Sequence, residues 1–240
     1  MKTIDATGRE YRELNALLRE TTGACTIRNC TGQRYLADGM ATLDLTVDGV
    51  PGNALGAYLN GARITVNGNA QDAVGDTMND GQIVIHGSVG DTVGYAMRGG
   101  AIYVKGNAGY RAGIHMKAYQ DKIPALIIGG RTGSFLGEYQ AGGVIAVLGL
   151  HGDGKPVVSN FPCTGMHGGK VILRGDVSAI RFPRQVHVSA ATQEDLDSVR
   201  PFLETYCALF GEDLQTLLDA PFTVVTPDSS NPFRQLYVGN

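Results

Sequence analysis

Cysteine is scarce in this chain of 240 residues, and its few thiols are not spaced for metal chemistry. Cys25, Cys30, Cys163 and Cys207 include no C-x-x-C pair, which argues against a zinc or iron–sulfur site within the chain. None stands at the N-terminus, where an amidotransferase nucleophile would have to be. Long apolar runs are missing: none approaches the ~18 residues of a membrane span. Excess positive charge is missing as well. The net charge is −3 and the pI near 5.9, whereas a nucleic-acid surface is clearly basic. The opening Met1-Lys-Thr-Ile-Asp-Ala6 lacks the apolar stretch of a secretory leader, so a cytoplasmic setting with reduced thiols is expected. Catalytic motifs are absent too: no G-x-x-x-x-G-K-[ST], no H-E-x-x-H and no G-x-S-x-G, since Gly133-Ser-Phe-Leu-Gly137 has the wrong spacing.

What the chain has is glycine, 34 of them, set in a repeating phrase. It reads Leu45-Thr-Val-Asp-Gly49, Ile64-Thr-Val-Asn-Gly68, Ile83-Val-Ile-His-Gly87 and Ile102-Tyr-Val-Lys-Gly106. It continues as Leu126-Ile-Ile-Gly-Gly130, Ile145-Ala-Val-Leu-Gly149 and Val171-Ile-Leu-Arg-Gly175. The closing glycines are separated by 19, 19, 19, 24, 19 and 26 residues. Further glycines follow in most repeats at offsets of three and seven, as in Gly87/Gly90/Gly94 and Gly106/Gly109/Gly113. An apolar residue precedes the last of them (Leu55, Val74, Val93, Ala112, Leu136). Three residues beyond it stand Leu59, Met78, Met97, Met116 and Gln140. A fixed period of about 20 residues marks a solenoid, whose single repeats cannot bury their own apolar faces.

The fold class that follows is an all-β solenoid, a parallel β-helix of about seven coils. Alternation in Ile64-x-Val66 or Ile102-x-Val104 puts two side chains inward and one outward, as on a half-buried strand. Stacked ~4.8 Å apart, seven coils make a column on the order of 30 Å tall. A hexapeptide helix would show the [LIV]-G unit three times per coil. A calcium-binding nonapeptide helix needs a fixed aspartate, yet Asp72 and Asp91 give way to Tyr110 and Ser134. Tyr11, Leu14, Leu17 and Leu18 predict an N-terminal helix capping the open end. Insertions fall between Met116 and Leu126 and between Gly152 and Met166. The organisation expected is residues 1–189 as helix plus β-helix, and 190–240 as a C-terminal helical and strand-like appendage with a tail, too small for an independent domain. In it Thr192 and Asp195 resemble a helix start, and Pro201 stands where the helix could kink.

Chemistry is thin. His86 shares its repeat position with Asn67, Lys105 and Arg174, an outward polar ladder. Asp153 and Lys155 read as part of a Gly152-Asp-Gly154 turn. One cluster is denser than scaffold duty requires: Tyr110, Arg111, His115, Lys117, Tyr119 and Asp121, beside the first insertion. Arg and Tyr together are typical of interfaces, so these six are the candidate partner-binding residues. No catalytic, cofactor-binding or metal-binding residue is assigned.

The coils Gly68-Asn-Ala-Gln-Asp-Ala-Val-Gly-Asp-Thr-Met78, His86 to Gly100, Gly109-Tyr-Arg-Ala-Gly-Ile-His-Met-Lys117 and Phe135-Leu-Gly-Glu-Tyr139 resemble the C-terminal G-X-G-X-G domain of the glutamate synthase large subunit. The whole chain, through Ser230-Asn-Pro-Phe-Arg-Gln-Leu-Tyr237, is similar to the stand-alone form of that domain, and more distantly to the β-helical subunit of formylmethanofuran dehydrogenase. The resemblance implies a right-handed β-helix with a structural role in glutamate biosynthesis and no cofactor of its own. Its expected partners are a glutaminase and a synthase subunit carrying FMN and an iron–sulfur cluster. Self-association of the isolated chain is also open. A second class of function, a free-standing β-helix hydrolase such as an esterase or carbohydrate-active enzyme, would need an acid-lined groove.

Overall fold

The computed structural model describes residues 2–150 and 154–230. In chain order the elements are β1 (Lys2–Asp5), α1 (Tyr11–Arg19), β2 (Gly23–Thr31), β3 (Leu43–Val50), β4 (Asn60–Val66), β5 (Asp80–Ile85) and β6 (Ala101–Val104). There follow β7 (Ala125–Ile128), β8 (Ala141–Val147), β9 (Gly168–Arg174), β10 (Val186–Ala190), α2 (Gln193–Phe210), α3 (Leu214–Leu218) and β11 (Phe222–Pro227). The strands form one sheet in the order β1 to β9, then β11, then β10. From β1 to β9 every pairing is parallel, so the chain climbs one coil per strand, a parallel β-solenoid. The register stacks Ile64, Ile83, Ile102, Leu126, Ile145 and Val171 in one column and Val66, Ile85, Val104, Ile128, Val147 and Leu173 in another. All twelve are fully buried. At roughly 1.5–3 kcal/mol for each large apolar side chain buried, these columns are the main stabilising element.

Opposite the strands each coil makes a turn whose backbone alternates in hand. Ala73, Gly75 and Thr77 have positive φ, as do Thr92, Gly94 and Ala96, then Arg111, Gly113 and His115, then Phe135, Gly137 and Tyr139. The alternation points successive N–H groups in opposite directions. Arg111 N–H donates to Ser134 O and His115 N–H to Glu138 O in the coil above, while Gly113 N–H donates to Val93 O in the coil below. The left-handed conformation costs an ordinary residue about 1–2 kcal/mol. Here the strain is offset by a hydrogen-bond ladder as continuous as the sheet's.

Between sheet and turn, side chains cap the next coil. Asn69 Oδ1 accepts from Ser88 N, Ser88 Oγ from Asn107 N, and Asn107 Oδ1 from Arg131 N. In a second row Asp72 Oδ1 accepts from Asp91 N and Asp91 Oδ1 from Tyr110 N. The two aspartates of the broken nonapeptide pattern are thus coil-to-coil caps.

The outer row of the sheet is not uniformly solvated as the alternation predicts. Thr46 and Thr65 are half-buried, but Val84, Tyr103, Ile127, Ala146 and Ile172 lie under α2, against Val199, Leu203, Tyr206 and Phe210. Pro201 sits inside α2 without ending it. Gly129 takes the row's usual polar place because the Tyr206 hydroxyl lies where its Cβ would be. β11 returns antiparallel to β9 and β10 to β11. At the other end α1 sinks Leu14 and Leu18 into the core beside Leu36. No helix among the described residues is long and apolar enough to cross a membrane.

Candidate functional site

From Tyr35 to Tyr139 the left-handed positions of the turn ladder give their N–H groups to the next coil, so side chains are what this face offers a partner. Two columns of left-handed positions carry them. One runs Tyr35, Ala54, Ala73, Thr92, Arg111, Phe135, Phe161; the other Gly39, Tyr58, Thr77, Ala96, His115, Tyr139, Gly165. In the upper coils both become aromatic. The Arg111 guanidinium lies 5.1 Å from the centre of the Phe135 ring, and Phe135 stacks on Phe161 at 5.3 Å. His115 lies flat on Tyr139 at 5.2 Å and meets the edge of Tyr95 at 6.0 Å. A Cβ on Gly165 would overlap the Tyr139 ring, so glycine there is what lets the ring lie over the next coil. Arg111 also pairs with Glu138 Oε2 at 3.1 Å. Phe161 is 61% exposed and Tyr110 54%, far from the usual burial of large rings.

The first insertion leaves the corner just after His115 and folds back down the column. Tyr119 and Lys122 exchange backbone hydrogen bonds around Gln120 and Asp121, and Lys122 Nζ reaches Asp80 Oδ2 at 2.7 Å. That bond, with the Gly81 N–H, holds the Asp80 carboxyl below the usual carboxylate range. Tyr119 and Lys117 share a hollow with Arg98, which continues past Tyr119 to Tyr58, Asn60 and Asn79.

Five of the six residues singled out from sequence therefore fall into two neighbouring groups. Arg111 and His115 belong to the aromatic columns, whereas Lys117 and Tyr119 line the corner hollow with Asp121 at the insertion's tip. Tyr110 is fixed by its N–H on Asp91 with its ring exposed. Sequence reasoning missed Tyr95, Phe135, Tyr139 and Phe161 as parts of the face. For Phe135, Tyr139 and Phe161 the available signal was a large ring two residues before or after the central turn position of successive repeats; Tyr95, one residue after Gly94, falls outside it.

Other candidates resolve into scaffold. His86 is exposed and touches the edge of Phe210 at 5.3 Å. Burial pushes the Cys163 thiol up to about 12, which keeps it protonated. Gln140, in the methionine column, donates from Nε2 to Gly142 O and Gly143 O. Among the described residues no group of three or more His, Cys, Asp and Glu is placed to hold a metal. His151, Asp153 and the stretch 231–237 of the family resemblance lie outside the described residues.

Comparison with known proteins agrees with this architecture. A family model described as the GXGXG motif matches residues 9–227. An uncharacterized protein of Methanocaldococcus jannaschii is 44% identical over 248 residues, covering 98% of this chain and 95% of its own length. With coils, glycine columns and family model all in the same span, the chain belongs to the GXGXG motif family, that of the C-terminal domain of glutamate synthase.

Proposed function

We propose that this chain is a non-catalytic assembly subunit of a glutamate-synthase-like complex. In this reading it holds a glutaminase beside a synthase subunit that carries FMN and an iron–sulfur cluster. The complex converts glutamine, 2-oxoglutarate, two electrons and two protons to two glutamates, the electrons coming from an external reduced donor through the synthase subunit's FMN and iron–sulfur cluster. This chain supplies alignment of its partners, with no cofactor of its own. The observation that carries the reading is the exposed aromatic face of the upper coils, on a scaffold of the glutamate synthase domain family. Rigid rings bury large areas at small entropic cost, which suits them to anchor a partner. The backbone of Phe135 and Tyr139 is hydrogen-bonded to the next coil, so binding need not order it.

The test is co-purification with the glutaminase and synthase subunits encoded in the same genome. The double variant Phe161→Ala, Tyr139→Ala is expected to weaken capture at least about thirtyfold, a hot-spot loss of roughly 2 kcal/mol or more. Its melting temperature should stay near that of the unaltered chain, because these rings lie outside the inward columns. Intact capture by the double variant would place docking elsewhere, and a collapsed melting temperature would make the rings core.

A further inference from the structure

We propose that the corner hollow beneath the first insertion receives an acidic segment of a partner protein. A carboxylate of that segment lies against Arg98 and Lys117, and an apolar or aromatic side chain beside it lies between Tyr58 and Tyr119. The inference rests on the reading of the chain as an assembly subunit and adds the chemistry that the partner brings.

Asn60, Asn79, Arg98 and Lys117 are one column of the solenoid. Each N–H donates to the coil below, to Met40, Leu59, Met78 and Met97 in turn. Arg98 and Lys117 are thus one coil apart, ~4.8 Å along the column, and both are exposed. Neighbouring cations are already neutralised, Arg111 by Glu138 and Lys122 by Asp80. Among the described residues Arg98 and Lys117 have no ion pair. Two like charges so close, on a chain of net charge −3, oppose the charge of the whole molecule. An incoming carboxylate relieves that repulsion and is drawn in by it.

The walls supply the apolar part. Tyr58 is 58% exposed and Tyr119 55%. The recess between the two rings is lined by Asn60, Asn79 and Arg98. The insertion that forms the outer wall is pinned by Lys122 on Asp80, and it lies close over Gly99, whose Cβ would meet Lys122 Cδ at 3.1 Å. The recess is therefore preformed, with charge on one side and rings on two.

The experiment measures binding of the full-length chain to the glutaminase and synthase subunits at about 50 and about 300 mM NaCl, across which surface charge is progressively screened. Arg98→Glu with Lys117→Glu is expected to weaken binding at least tenfold at low salt and to remove most of its salt dependence. Tyr58→Ala should weaken binding while the salt dependence survives. The neutral pair Arg98→Gln, Lys117→Gln gives an intermediate loss and stands in if the reversed variant melts early. If both charge variants bind with full affinity and unchanged salt dependence while Phe161→Ala, Tyr139→Ala loses capture, the assembly role stands and this inference falls. Self-association of the unaltered chain that the reversed variant abolishes would also overturn it, by making a second copy the occupant. If the unaltered chain captures neither subunit, both readings fall together.

Discussion

Residues in this molecule are chosen as much for backbone hand as for side chain. Gly75 has φ +68 and no room, since a Cβ there would strike the Ile102 side chain one coil up. Ala73, two residues earlier, has φ 56 and already bears a Cβ. Gly75→Ala is therefore expected to destabilise by about 1–3 kcal/mol, from strain and overpacking together. Ala73→Gly exchanges relief of strain for added chain entropy and should be close to neutral. Equal melting temperatures for the two variants would contradict the alternating turn. The glycine columns make the positions of these turns legible from the repeat alone. Their hand is not legible there, because nothing in the residue types of Arg111 or His115 announces a left-handed backbone; only the ladder to the next coil stabilises it. The aromatic face is half legible for the same reason: Phe161 belongs to a coil where Cys163 stands in the central glycine's place.

At the level of elements, the closing glycines locate β3 to β9, and β2 escapes. Its pairing with β3 slips between Ile27 and Cys30, where Asn29 takes φ 58, so the 19-residue spacing is broken by a bulge. The covered sheet face is written in the outward row, which changes from Thr46 and Thr65 to Val84, Tyr103 and Ile127, but alternation within single strands hides a trend that runs across them. The helix that covers it is secured at its start by Asp195. This carboxylate accepts from Lys170 Nζ at 2.9 Å and closes the capping box with Thr192. The Lys170 hydrogen bond above all, then the Thr192 bonds, lower its pKa from 3.8 to about 2. Because the folded value lies below the unfolded one, the stabilisation is complete above pH 3.8 and is lost as pH falls toward 2. Lys170→Met should flatten the fall of melting temperature across that window and lower the plateau above it. Parallel acid limbs for the two proteins would show that the pair does not hold α2.

The whole molecule is a column covered unevenly. α2 lies over the sheet from β5 to β9, whereas the outward Thr46 and Thr65 of β3 and β4 stay half-buried. Hydrogen exchange should follow that cover, with the amides of Thr46 and Thr65 exchanging at least about tenfold faster than those of Ile127 and Ala146. Uniform protection along the column would mean that α2 adds no local stability. A further consequence lies in how the column stops. A stack of parallel strands has no natural length, and each bare end is a template for more of the same. Here α1 plugs one end, while above the last coil Ile180, with Val177 and Phe182, closes the interior. β11 and β10 then extend the sheet alone, adding strands with no turn ladder behind them. A second molecule arriving at either end would find half a coil to copy, which disfavours growth of a fold built like a filament seed.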